Sequence, residues 1–244
     1  MKKLFNFLAA SMIILTFSAC SVGTQYYSSE ALYPSRKDAR EVIERADIVV
    51  VGRVSNISFQ VLDQTTALMP TEESDPMDRR LCTIYDIEVA TLYKGEIQKP
   101  LQIRVDGGLK GYRVREQLGL MNKMEAWPSD GILVQSQMPK IEEGNSYLFA
   151  LVQFETGIPT NMNPDQSIFN LRNPFTKKAS GNHETDESYY AKTTDENGRP
   201  LMSARDVISA FGQEKWDEFW VQWQKDNPKW ETWIDKDAVQ SALK

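Results

Sequence analysis

The sequence predicts an α+β fold: a small curved antiparallel β-barrel of about six strands, with one helix before it and aromatic-rich helices after it. Three observations predict this. A helical period precedes residue 47, strand-like alternation fills most of 47–200, and the helical period returns beyond 203. No internal repeat or low-complexity stretch divides the chain.

At the N-terminus, Lys2 and Lys3 precede an apolar stretch over about residues 7–17, followed by Ser18, Ala19 and Cys20. That is the plan of a secretory signal peptide over residues 1–19, and the apolar stretch falls short of the ~20 residues a membrane-spanning helix needs. Phe17-Ser18-Ala19-Cys20 resembles the bacterial lipobox. The resemblance implies cleavage before Cys20, a diacylglycerol on its sulfur and N-acylation, with fatty acids such as palmitate. Two or more acyl chains anchor a protein stably, so the expected location is the extracytoplasmic face of the cell membrane or outer membrane. Residues 20–31, polar and small with nothing periodic to bury, are read as a tether.

The barrel is expected over 32–200, with C-terminal helices over 201–244 packed on the same domain. Ser35 followed by Asp38 reads as a helix cap, and Ala39, Val42, Ile43 and Ala46 share one helical face. The β-branched run from Ile48 to Val54 continues as a strand to Leu62, bent at Gly52. Leu81, Thr83, Tyr85, Ile87 and Val89 alternate with mostly polar neighbours and exit at Lys94-Gly95; Leu101, Ile103 and Val105 do the same up to Gly107-Gly108. These two runs are expected to form a hairpin. Further strands are expected at 132–138, 147–154, 167–171 and 188–193, of which 147–154, apolar on both faces, suits a central position. The intervening segments 63–79 and 109–130 are read as long loops.

Beyond 200, Ser203 and Asp206 form a capping pair before Val207, Ile208 and Phe211, and Gly212 stops that helix. Trp216, Phe219, Trp220 and Trp223 recur at helical spacing up to Asn227-Pro228. Trp216, Trp220 and Trp223 are read as a core stripe facing the barrel. Trp230 and Trp233, beyond the proline, are the freer pair.

Composition narrows the function classes. Loss of 1–19 removes two lysines from a chain already at net charge −6, and no basic stripe is visible, so nucleic acid is not an expected partner. A mature chain of this size can bury about 70% of its unfolded surface. With Cys20 acylated, Cys82 is the remaining thiol, so no intrachain disulfide is expected; its strand context marks it as a small core residue.

The order Ala46 to Val54, then Tyr85 to Gly95 ending Tyr-Lys-Gly-Glu, then Gly107-Gly108, then Glu143-Gly144-Asn145-Ser146-Tyr147-Leu148-Phe149, resembles a broad group of bacterial envelope proteins with an OB-like barrel. Their fold is distantly similar to tissue inhibitors of metalloproteinases and netrin-like domains. The resemblance spans residues 36–200 and implies fold rather than mechanism. Those inhibitors chelate metal through a free N-terminal cysteine and are disulfide-rich, so their inhibitory route is not carried over to a chain acylated at its first cysteine.

Catalytic candidates are sparse. His183, the only histidine, sits among polar neighbours with no Ser elbow of the G-x-S-x-G kind in the sequence. One histidine and one core cysteine cannot supply a usual zinc set, and the acidic groups at Asp63, Glu72, Glu73, Asp75, Asp78 and at Asp195-Glu196 miss the EF-hand spacing. No cofactor or metal is expected. The expected function is therefore a non-enzymatic, membrane-anchored binding module for an envelope protein or glycan. Its candidate contact residues are Tyr112, Arg113, Arg115 and Trp127 on the rim made by loops 63–79 and 109–130, with Trp230 and Trp233. Two alternatives stand beside it: a hydrolase of envelope polymers using His183 or a carboxylate pair, and a structural component of a membrane complex.

Overall fold

The computed structural model describes residues 24–29, 35–135, 138–163, 166–177, 194, 200–235 and 239. The signal segment 1–19, Cys20, His183, the strand expected at 188–193 and the acidic turn at 195–198 lie outside the described residues. The chain is α+β, with a six-stranded sheet and, among the described residues, four α-helices. None of these helices is long and apolar enough to cross a membrane.

Helix α1 (Ala39–Arg45) carries Val42 into the core. Its N-cap is Asp38, whose carboxylate accepts from the Glu41 N–H, and not Ser35; the predicted cap lay one turn too early. At the other end the helix is stopped from a distance: Lys94 Nζ donates to the carbonyls of Ile43 (2.7 Å) and Ala46 (2.6 Å), satisfying acceptors that a helix C-terminus leaves orphaned.

Strand β2 (Ile48–Asp63) and strand β3 (Arg79–Lys94) pair antiparallel along their whole lengths, with register shifts at Val49/Val50, Val51/Gly52 and Val54/Asn56. The predicted bend at Gly52 coincides with one shift, where a side-chain carbon would stand 2.5 Å from Ile87 Cγ2. Strand β4 (Leu101–Asp106) completes the expected hairpin on β3. The remaining strands in chain order are β5 (Gly131–Gln135), β6 (Ser146–Val152), β7 (Thr160–Asn161) and β8 (Ile168–Asn170). The main sheet runs β2-β3-β4-β7-β6-β8, and β2 also pairs with β6, so its first residues are bonded along both edges. The sheet is not wholly antiparallel: β4 meets β7 in parallel at Arg104 and Thr160.

Two further differences from expectation share one corner. The strand near 132 does not join the main sheet; β5 pairs in parallel with a short strand, β1 (Gln25–Ser29), inside the segment read as tether. The loop read over 109–130 contains helix α2 (Val114–Met124). Its buried Gln117 accepts from the Leu109 N–H and donates to the carbonyls of Leu109 and Tyr112, closing the Gly108 turn. Met121 of α2 packs with Phe59, Val61, Leu81 and Ile132, joining this corner to the far halves of β2 and β3.

Period-two alternation sorts the sheet residues. Ile48, Val50, Tyr85, Ile103, Tyr147, Phe149 and Leu151 pack among the strands. Val49, Val51, Leu148 and Ala150 face the other way, under α1, α3 (Ala204–Ser209) and α4 (Gln213–Asp226). Strand β6 is thus buried on both faces, as its sequence implied. The Ser203–Asp206 capping box starts α3.

Candidate functional site

Helix α4 covers only part of the sheet, and where its cover ends a cleft of about 530 Å³ remains. Its floor is Val51 on β2 with residues 90–93 of β3, one wall is the turn 144–146 with 170–172, and the other is Phe211 and the exposed side of α4. The local causes are simple. Trp216 and Trp223 are drawn into the core, and the Trp223 indole donates to the Leu171 carbonyl at 2.7 Å, pinning α4 at that point. Lys215, just before Trp216, and Glu218, Phe219 and Gln222, between the two tryptophans, are left facing the gap.

The lining combines half-buried rings with carboxamides. Tyr93 stacks on Phe211 at 5.4 Å, and Phe219 lies at 5.5 Å from Trp216. Four amide side chains line the cleft, and among the described residues each spends one end on the protein. Asn145 donates to Glu142, Gln222 to Asp226 and Asn227 to the Trp223 carbonyl, leaving their oxygens available; Asn170 accepts from the Arg172 N–H, leaving its amino group. Lys215 pairs with Glu218 at 2.9 Å.

Burial pushes the Tyr93 phenol up to about 12, and the Glu218 charge adds to the rise. A phenol whose folded value exceeds its unfolded value of 10.0 stabilises the fold fully below pH ~10 and loses that contribution as the pH climbs toward 12. Urea unfolding is therefore expected to show stability falling between pH ~10 and ~12, with a shallower fall in Tyr93→Phe. Tyr85 and Tyr147, also raised by burial, add to the fall, and the buried Cys82 thiol, raised from a lower ordinary value, starts it at lower pH.

The residues singled out from sequence are placed unevenly. Tyr112 is half-buried against Phe59, and Arg113 stands over the Tyr112 ring and donates to the Ile57 carbonyl, so both help hold the start of α2. Arg115 is exposed on α2. Trp127 is exposed, with the Arg80 guanidinium 4.6 Å over its ring, and its backbone N–H donates to Arg79. The two rim loops do meet, through Arg79, which reaches the Met124, Ser74 and Thr71 carbonyls. Trp230 is packed against Trp220 and Trp223 rather than free. Trp233 is 43% exposed and donates to the Arg172 carbonyl beside the cleft. Cys82 is buried, its thiol raised chiefly by that burial. Among the described residues no group of three or more His, Cys, Asp or Glu side chains is gathered as a metal site.

The cleft itself escaped the sequence reading, because its lining comes from segments more than 100 residues apart. The only local signal was the row of polar residues Lys215, Glu218, Gln222 and Asp226 flanking the tryptophan stripe of α4. No protein-family model matches the chain, and a search of curated proteins returns no match.

Proposed function

We propose that the chain is a lipid-anchored, non-enzymatic binding protein of the extracytoplasmic membrane face, and that the α4 cleft takes an envelope glycan. The carrying observation is the pairing of half-buried aromatic walls with four carboxamides, each of which has, among the described residues, an unspent hydrogen-bonding end. Sugars present hydroxyls that both donate and accept beside apolar ring faces, which is the complement of such a lining. The two carboxylates on the α4 wall, Glu218 and Asp226, lie eight residues apart, roughly 12 Å along a helix axis. Glycosidase pairs stand about 5–9.5 Å apart, which favours binding over hydrolysis.

An OB-like barrel is the reading of the sheet that fits its pairings best. Followed from Ser58 through Ile84, Arg104, Thr160 and Val152, the ladder returns to β2 beside Ile48, the stagger that closing a tilted sheet requires. Such barrels bind ligands across a face and its adjoining loops.

Calorimetric titration with solubilised envelope glycan fragments tests the cleft. Phe219→Ala combined with Gln222→Ala is expected to weaken binding at least tenfold with the fold intact. Glycan binding undiminished in that variant sinks the assignment. Anchoring is tested by detergent-phase partition, which Cys20→Ser is expected to abolish.

A further inference from the structure

We infer that the end of the domain carrying Met69, Met77 and Trp127 rests against the lipid surface of its own membrane, leaving the α4 cleft turned away from it. This rests on the anchoring at Cys20 proposed above. Gln25, the first residue of β1, stands five residues after Cys20. Five residues of chain reach at most ~17 Å, so the surface around Gln25 is held at headgroup distance.

That surface is defined by the β1–β5 pairing. Gln25 lies beside Gly131, four residues after Trp127, and Tyr27 fastens the strand by donating to Asp130 at 2.9 Å. Trp127 in turn bridges Arg80, whose side chain donates to the Met77 carbonyl, and the neighbouring Arg79 holds the loop that carries Met69. Of the large apolar side chains exposed among the described residues, four share this end: Leu68 47%, Met69 57%, Met77 56% and Trp127 39%; Leu92, Val221 and Trp233 lie toward the cleft. A tryptophan beside flexible thioethers suits the boundary between headgroups and acyl chains.

The charges here do not form a basic patch. Arg79 pairs with Glu125 at 3.8 Å, Asp78 lies close to Arg80, and Glu72, Glu73 and Asp75 belong to the same loop, while Lys110 stands over the Tyr26 ring. Contact is therefore apolar and aromatic, and anionic lipid should not strengthen it. The cleft lies near Val51 and Thr91, while this end lies beyond Leu62 and Leu81, some ten residues or ~33 Å further along β2.

Full-length acylated protein in phosphatidylcholine vesicles tests the inference. An environment-sensitive fluorophore is attached to Met77→Cys or, as control, to Val221→Cys on the exposed side of α4; the buried Cys82 thiol is shielded from labelling. The label at 77 is expected to be quenched at least threefold more by nitroxide lipids than the label at 221, with no gain from phosphatidylglycerol. Equal quenching at both positions, in protein whose N-terminal peptide carries the acyl mass, overturns the inference while leaving anchoring intact. Protection at 77 from a water-soluble quencher without lipid quenching assigns this end to a protein partner and overturns it too. An N-terminal peptide without lipid overturns the anchoring reading, and this inference falls with it.

Discussion

Gly95→Ala is expected to destabilise the domain by roughly 3 kcal/mol or more, a fall in Tm of about 6–12 °C for a domain of this size. Two costs act together. Gly95 has φ +84°, where an L-residue is disfavoured by ~1–2 kcal/mol, and a Cβ there would stand 2.2 Å from the Asp47 carbonyl oxygen. The backbone at Asp47 has little room to yield, because its N–H donates to Leu151 at 2.8 Å and its carboxylate accepts from the Gln153 N–H at 2.8 Å. The adjacent Lys94 caps α1, so displacing this turn also strains the helix terminus. Gly144→Ala separates the two costs. Its φ is +85° but nothing lies within 4 Å of the added carbon, so only the conformational part, ~1–2 kcal/mol, is expected. Equal losses for the two variants, measured by thermal unfolding, would refute the close approach at Asp47.

The second large effect concerns Trp216. Its indole is fully buried, stacked on Trp220 at 5.7 Å and edge-on to Phe175 at 5.5 Å, at the point where α4 meets the sheet. Trp216→Ala removes the anchor and leaves a cavity larger than its neighbours can close, at an expected cost of ~3–5 kcal/mol. Near-UV circular dichroism should lose the signal of the Trp216, Trp220 and Trp223 stack before backbone structure is lost. Val221→Ala on the opposite side of the helix, 52% exposed, is expected to change stability by less than ~0.5 kcal/mol. A comparable cost at both positions would mean that α4 is not held by its tryptophan stripe.

Much of the fold was legible because burial imprints a period on the chain. The spacing of Trp216, Trp220 and Trp223 identified the buried side of α4, and the Ser203–Asp206 pair identified the start of α3. The two-sided apolar run of β6 announced its cover on both faces. Helix α2 was overlooked although Val114, Leu118 and Met121 hold helical spacing. Its most buried position is a glutamine, which reads as surface until its three hydrogen bonds to the Leu109 and Tyr112 backbone are seen. Strand β1 had no readable pattern at all: Gln25 to Ser29 is polar, and only the neighbouring β5 makes it a strand.

The candidate site was less legible than the fold. Trp127, Arg113 and Arg115 are exposed as a contact residue must be, although the Arg113 guanidinium also donates to the Ile57 carbonyl, whereas Tyr112 and Trp230 are half-buried in aromatic packing. A single aromatic or arginine looks alike in sequence whether it faces solvent or its own backbone.

By itself the sequence determined the α+β class, the order of its principal strands and helices, and the buried side of α1, α3, α4 and β6, since these follow from side-chain period along one segment; it did not show that β3 is buried on both faces from Leu81 to Tyr85 or that Arg104 of β4 is buried, because those faces are covered by distant segments. Tertiary structure alone decided that β2 is bonded on both edges, that β5 leaves the main sheet for β1, and that α4 stops short of covering the strands beneath it. Backbone hydrogen bonds carry no residue code, so strand partners are chosen by the packing of distant segments, and a cleft exists only where that packing leaves a gap.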